Sequence, residues 1–247
     1  MTSLARAVDG ILAAQLASGK PLAIILAGHN GSGKSTMWYQ HLAPQLQIPL
    51  VNADRMMLSI LPETSASAPL PEWARTLRDQ NESWMKVAQN GVQAFVAEAL
   101  SNGVPFAMET VFSHWRELED GSIESKIDQI KQMQANGYFV LLLFVGLANA
   151  VLSTLRVQTR VARGGHAVDA AKLADRFPRT QMAIRLAATV ADAAILVDNS
   201  REEKLAFSVC RIQQQNEVTF DMRDGGDVPL AIQSWLDIVA PREPLAD

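Results

Sequence analysis

The stretch Gly28–Thr36, GHNGSGKST, follows the pattern G-x-x-x-x-G-K-[ST]. Glycines at that spacing let a backbone curl into a concave nest whose N–H groups face phosphate oxygens, and a helix starting at its end adds a favourable dipole. The candidate cradle comprises Gly28, Asn30, Gly31, Ser32, Gly33, Lys34, Ser35 and Thr36. Lys34 is expected to reach the β and γ phosphates of ATP, and Ser35 to ligate Mg2+. LAIILAG before the motif reads as a buried strand and KSTMWYQHL after it as a helix, which is the context the pattern requires.

A phosphate cradle does not by itself separate a kinase from an ATPase or a nucleotide-operated switch, so the ends of the neighbouring strands matter. In PLVNADRM, Asp54 stands where the second strand stops. A carboxylate there can accept the proton of an acceptor hydroxyl during in-line attack on the γ phosphorus, or it can cap the helix that follows. In PFAMETV, Glu109 ends the third strand. A buried carboxylate needs a partner: a Mg2+-bound water, a hydroxylated substrate, or an arginine such as Arg55. Thr110 and Ser113 add hydroxyls beside it as substrate contacts.

A third group is cationic. RVQTRVARGGH places Arg156, Arg160 and Arg163 at i, i+4 and i+7, on one face of a helix that Gly164 and Gly165 then break. Six of the 15 arginines fall between Arg156 and Arg185, where only Asp169 and Asp175 oppose them. The face is open to three readings: a solvated surface, a nucleic-acid patch, or a clamp for the phosphoryl group in transfer, with Arg156 and Arg160 catalytic and Arg163 on the nucleotide. No aromatic residue interleaves with them, which argues against single-strand nucleic acid. Lesser candidates also have two readings each. His166 touches a phosphate or caps the lid, and Asn199 meets adenine or makes a turn. His114 and Trp115 line the pocket or belong to the surface. Arg176 and Arg179 extend the clamp or pair with Asp175 and Asp169.

These residues must be held by a scaffold, and the apolar runs supply one. LAIILAG, IPLVNAD, PFAMETV, YFVLLLFVG and AAILVDN are short, nearly continuous in apolar character, and separated by helical patterns. This predicts an α/β fold with a parallel sheet of about five strands flanked by helices, and ligands at the carboxyl ends of those strands. After Ser200, KLAFSVCRI, a QQQN turn and EVTFDM predict a C-terminal β-hairpin, and PLAIQSWLDIVA a closing helix. The expected organisation is an N-terminal helix over 1–20, a core over 21–200 with a lid at about 153–180, and the hairpin and helix over 201–247 as part of the same domain.

Composition narrows the setting. With 48% hydrophobic residues and a net charge of −4, the chain suits one globular domain and not a surface built to lie on nucleic acid. The single Cys210 cannot form an internal disulfide, so a reducing, cytoplasmic setting is expected. The opening helix lacks a secretory pattern, and the longest apolar run falls short of the ~20 residues of a membrane span.

The series AGHNGSGKST, VNAD, FAMETVFS, GYFVLLLFVGL, RVQTRVARGGHAV and LVDNS, in that order, resembles the zeta-toxin family of P-loop kinases over Leu22 to Ser200. The resemblance implies ATP-dependent phosphorylation of a hydroxyl on UDP-N-acetylglucosamine, a toxin role, and inhibition by a small antitoxin protein. It also implies Asp54 as the catalytic aspartate, Glu109 as the substrate-side glutamate, and Arg156 and Arg160 as the paired lid arginines. Three positions depart from the family pattern: Val111 and Phe112 stand where a threonine and a leucine are common, and Asp169 where a proline is frequent. The expected function is therefore a small-molecule kinase. A kinase of another metabolite or of a polynucleotide end, and an ATPase or switch, are the alternatives.

Overall fold

The computed structural model describes residues 3–63, 68–121, 123–162, 165, 168–215 and 217–242. Helix α1 (Leu4–Ser18) is capped by Ser3, whose hydroxyl accepts from the Arg6 amide, and it buries Ala7, Val8 and Ile11. Strand β1 (Leu22–Gly28) is buried along its whole length and enters the phosphate-loop motif. Helix α2 (Lys34–Met37) follows and continues through a π turn at Trp38–Leu42 into α3 (Ala43–Leu46). The wide turn has a cause in Pro44, which has no N–H and would clash with a carbonyl four residues back. The Ala43 amide reaches instead to the Trp38 carbonyl, five residues back.

Strand β2 (Leu50–Val51) is only two residues long and leads into α4 (Ala53–Ser59). Two helices, α5 (Glu72–Gln80) and α6 (Glu82–Asn102), fill the long connection to β3 (Phe106–Thr110). A small hairpin of β4 (Trp115–Glu117) and β5 (Ile123–Ser125) comes next, then α7 (Ile127–Ala135) and β6 (Phe139–Gly146). Helices α8 (Ala150–Ala162) and α9 (Ala170–Val190) precede β7 (Ala193–Asp198). The chain closes with β8 (Ser208–Gln214), β9 (Glu217–Asp221) and α10 (Leu230–Val239).

The main sheet has the order β2-β3-β1-β6-β7-β8-β9. Its first five strands are parallel, as the apolar runs predict. The C-terminal hairpin pairs antiparallel onto β7 and so extends the same sheet to seven strands. Strand side chains alternate between two apolar layers. Along β1, Ala23, Ile25 and Ala27 join the layer containing Phe106, Tyr138, Phe144 and Trp235. Ile24 and Leu26 join the layer containing Trp38 and the inner face of α1. Helices thus cover both faces of the parallel part, which explains its continuous apolar runs. Among the described residues, no helix is long and apolar enough to cross a membrane.

The C-terminal helix is fixed to the site-bearing end of this sheet by Trp235. Its ring is fully buried, meets Phe144 edge-on at 5.6 Å, and donates from Nε1 to Asp198 Oδ1 at 3.2 Å. Gly146 lies directly beneath it: a Cβ there would stand 2.5 Å from the indole. Gly146→Ala is therefore expected to destabilise the fold by about 1–3 kcal/mol through overpacking, read as a lower urea midpoint. An unchanged midpoint would show that the tryptophan is free to move aside.

Candidate active site

The phosphate loop is gripped from both sides. Gly31 (φ 71°) and Gly33 (φ 90°) occupy the left-handed region that favours glycine. A Cβ on Gly31 would stand 3.0 Å from Arg156 Cβ, and one on Gly33 2.6 Å from Asn199 Nδ2. At those contacts the flanking elements hold the loop: Ser153 Oγ of α8 donates to the Asn30 carbonyl at 2.7 Å, and Asn199 Nδ2, after β7, donates to the Ser32 carbonyl at 2.8 Å. Asn199 therefore braces the loop, a role not among those expected for it.

Inside the loop lies a buried cation. Lys34 Nζ donates to the carbonyls of Gly28 at 3.1 Å and His29 at 3.0 Å, with Glu109 Oε1 3.9 Å away. Burial pulls the ammonium below its ordinary pKa, the carboxylates of Glu109 and Asp54 pull it back up, and Arg160 lowers it further. Glu109 is the hub. Its carboxylate accepts from Ser35 Oγ at 2.9 and 3.0 Å and from Asn52 Nδ2 at 2.8 Å. Arg55 is not its partner, because that guanidinium stacks 4.6 Å above the Tyr39 ring. The α4 cap is likewise Asn52, whose Oδ1 accepts from the Arg55 amide at 3.2 Å. Asp54 sits in the first turn of α4 with its side chain on the cleft, so its position owes nothing to capping.

That cleft, of about 700 Å3, brings most of the sequence candidates together. Asn30, Gly31, Gly33, Lys34, Ser35, Thr36, Asp54, Glu109, Thr110, Arg156 and Arg160 all line it. Gly28 and Ser32 lie behind the lining, Gly28 supplying a carbonyl to Lys34 and Ser32 buried. Ser113 is not among the residues that line the cleft; it follows Phe112, which takes a positive φ of 61° and buries its ring. Arg163, with Gly164 and His166, lies outside the described residues. The segment read as a lid holds α8 and the first half of α9, where Leu173 and Phe177 are packed into the interior. Arg179 pairs with Asp175, as one of its two readings had it.

Other residues of the cleft gave no signal in the sequence. Gln89, Gln93 and Gln129 project from α6 and α7, and Lys126 enters beside Thr110. His114, which one of its two sequence readings placed in the pocket, lines the cleft and pairs with Glu124 at 2.7 Å. Glutamines on helices resemble any solvated face. Only the packing of α6 and α7 against β3 turns these toward the site.

The fold has known counterparts. The model of the Zeta toxin family matches residues 8–208. The chain belongs to the Zeta toxin family. It is a P-loop phosphotransferase. It is 26% identical over 145 residues to an uncharacterized protein of Haemophilus influenzae, an overlap of 58% of this chain and 84% of the relative. Its fold is similar to that of a chain from the PezAT chromosomal toxin-antitoxin system of Streptococcus pneumoniae (TM-score 0.52, 12% identity, 98% of this chain and 91% of that one). It is also similar to a chain of the AvrRxo1-ORF1:-ORF2 complex with ATP (TM-score 0.60, 14% identity, 96% and 69%).

The loop also carries a histidine almost closed to water. His29 is 2% exposed, stacks on Phe177 of α9 at 3.8 Å, and meets Phe144 edge-on. Burial, with Lys34 nearby, lowers its pKa from 6.5 to about 3. Folding thus favours the neutral ring: its stabilising contribution is complete above the unfolded value and is lost as pH falls toward the folded one. Between pH 7 and pH 5 the loss from this group is expected to be about 2 kcal/mol. Urea denaturation at both pH values checks it against His29→Leu, in which that share of the pH dependence should vanish. An equal acid loss in both proteins would assign the effect to the carboxylates.

Proposed function

We propose that this protein transfers the γ-phosphoryl group of ATP to a hydroxyl of a small anionic metabolite, with UDP-N-acetylglucosamine as the acceptor favoured by family resemblance. The observation that carries the reading is the convergence of Lys34, Ser35, Glu109 and Asp54 on one cleft. A structural neighbour solved with ATP supports the donor.

The residues fit Mg2+ as well. The ion keeps several waters and needs only one or two protein oxygens beside the phosphates, and the Ser35 hydroxyl next to the Glu109 carboxylate offers that donor set. Held by these two residues, a Mg2+ ion would supply positive charge to offset that of the phosphates. The protein's part begins with Glu109, which holds the Ser35 hydroxyl in place and would accept from a water of the ion. Lys34 supplies positive charge at the floor of the loop. Asp54 orients the acceptor hydroxyl and takes its proton. Arg156 and Arg160 balance charge on the oxygens of the moving group. Burial lowers the pKa of Arg156 and Asp198 raises it, and an arginine remains cationic throughout the working range.

A toxin role, held in check by an antitoxin, is supported by the family and by the toxin-antitoxin system of the Streptococcus pneumoniae neighbour, and we place it in the cytoplasm on the single cysteine of the sequence. A different metabolite as acceptor is the second reading, favoured by Val111, which presents no hydroxyl to the cleft. Asp54→Ala is expected to lower turnover by about 10²–10⁴-fold with an unchanged melting curve, and Lys34→Ala to abolish it. Labelled ATP incubated with a metabolite pool should yield a labelled small molecule. Release of free phosphate alone would support an ATPase or switch. Induced expression should arrest growth through wild type and not through Asp54→Ala.

A further inference from the structure

The acceptor half of the cleft contains a cation that the steps above do not use. Lys126 occupies the turn between β5 and α7, and its ammonium lines the cleft together with Thr110, Val111 and Gln129. It donates to Thr110 Oγ1, which also accepts the Phe112 amide at 3.2 Å. An ammonium has three protons, so two stay available to a ligand. The charges that act on it are Arg176 of α9 and Lys34, both positive. Among the described residues, no carboxylate forms an ion pair with Lys126 or Arg176. Burial and these like charges hold Lys126 down to about 8.

A partly desolvated ammonium among other cations raises the free energy of the empty cleft, and a bound anion relieves it. The geometry says on which side that anion lies. Successive side chains of a strand point to opposite faces. Glu109 turns to Ser35 and the phosphate loop, whereas Thr110, one residue on, turns to Lys126. The wall around Lys126 is otherwise built of amides, with Gln89, Gln93 and Gln129 facing the same space.

We infer that Lys126, backed by Arg176, is the specificity-determining cation of the acceptor half, selecting acceptors that carry a phosphate or diphosphate of their own beside the hydroxyl to be phosphorylated. This rests on the kinase reading of the cleft, so one test must work without turnover. Inorganic pyrophosphate is titrated calorimetrically into the full chain already saturated with Mg2+ and a non-hydrolysable ATP analogue, which fills the phosphate loop. Wild type should bind it, Lys126→Met should bind it about ten- to a hundredfold more weakly, and Lys126→Arg should recover most of the loss. Arg176→Met should lose severalfold, and serves in place of Lys126→Met if that variant fails to fold. In turnover with UDP-N-acetylglucosamine, the loss should fall on the acceptor KM and not on kcat. No pyrophosphate binding by loaded wild type, or equal binding by the methionine variants, overturns the inference. So does a loss confined to kcat, which would place Lys126 on the transferred phosphoryl. Pyrophosphate binding through Lys126 with no acceptor phosphorylated would instead overturn the kinase reading and leave the anion site standing.

Discussion

An ammonium ion withdrawn from water is the constraint on which the active-site end of this protein depends. Lys34 can keep its charge there only if oxygen atoms surround it, and two of them are carbonyls of its own loop, Gly28 and His29. Bringing those carbonyls back onto a side chain five and six positions later requires a tightly curled loop. The curl in turn presses Gly28 against the neighbouring strand, where a Cβ would meet the Val145 carbonyl at 2.7 Å. Strand β6 therefore fixes one flank of the loop through its parallel register with β1, Gly28 opposite Val145. Strand β3 fixes the other flank by delivering Glu109.

The same grip explains why helices far apart in the chain meet at the loop. Ser153 and Asn199 each satisfy a loop carbonyl that curling has turned outward. His29 adds a third tether by stacking on Phe177 of α9. Helices α8 and α9 are thus fastened to the loop they flank. Arg156 enters the cleft beside Gly31 because α8 approaches so closely that only a residue without a side chain fits beneath it.

Much of this was legible in the sequence because it rests on local patterns. Five apolar runs specified five parallel strands, and the change of pattern after Ser200 specified the hairpin. The motif series fixed the family. Strand β2 shrank to Leu50–Val51 because the edge position gives it only β3 to pair with. Other features rest on contacts across long separations. Asn199 reaches Ser32 over 167 positions, and Glu109 reaches Ser35 over 74. No spacing rule connects such pairs. Asn52 passed unnoticed beside Asp54, since either residue suits a helix start, and only the fold shows that the asparagine caps while its amide also serves Glu109. The turn before Ser113 was hidden for a backbone reason: a phenylalanine in the left-handed region is rare, so Phe112 gave no hint of the turn it makes.

The departure at Val111 takes on a different weight once the strand end is seen. Its backbone carbonyl lies 3.4 Å from Thr180 Oγ1 of α9, and its side chain faces the cleft. Replacing a threonine by valine there leaves the strand end anchored and changes only what the wall offers an acceptor. Glu109, meanwhile, is occupied with Ser35 and Asn52 on the phosphate-loop side. In the proposed reaction, transfer and choice of acceptor therefore rest on different elements. The loop, α4 and Glu109 carry the first, while α6, α7 and the turn from Thr110 to His114 carry the second. The two sets meet at the peptide between Glu109 and Thr110 and where Met56 of α4 packs on Gly91 of α6, so the acceptor wall can change its hydrogen-bonding groups at Val111 while the loop carbonyls and Glu109 keep their hold on Lys34.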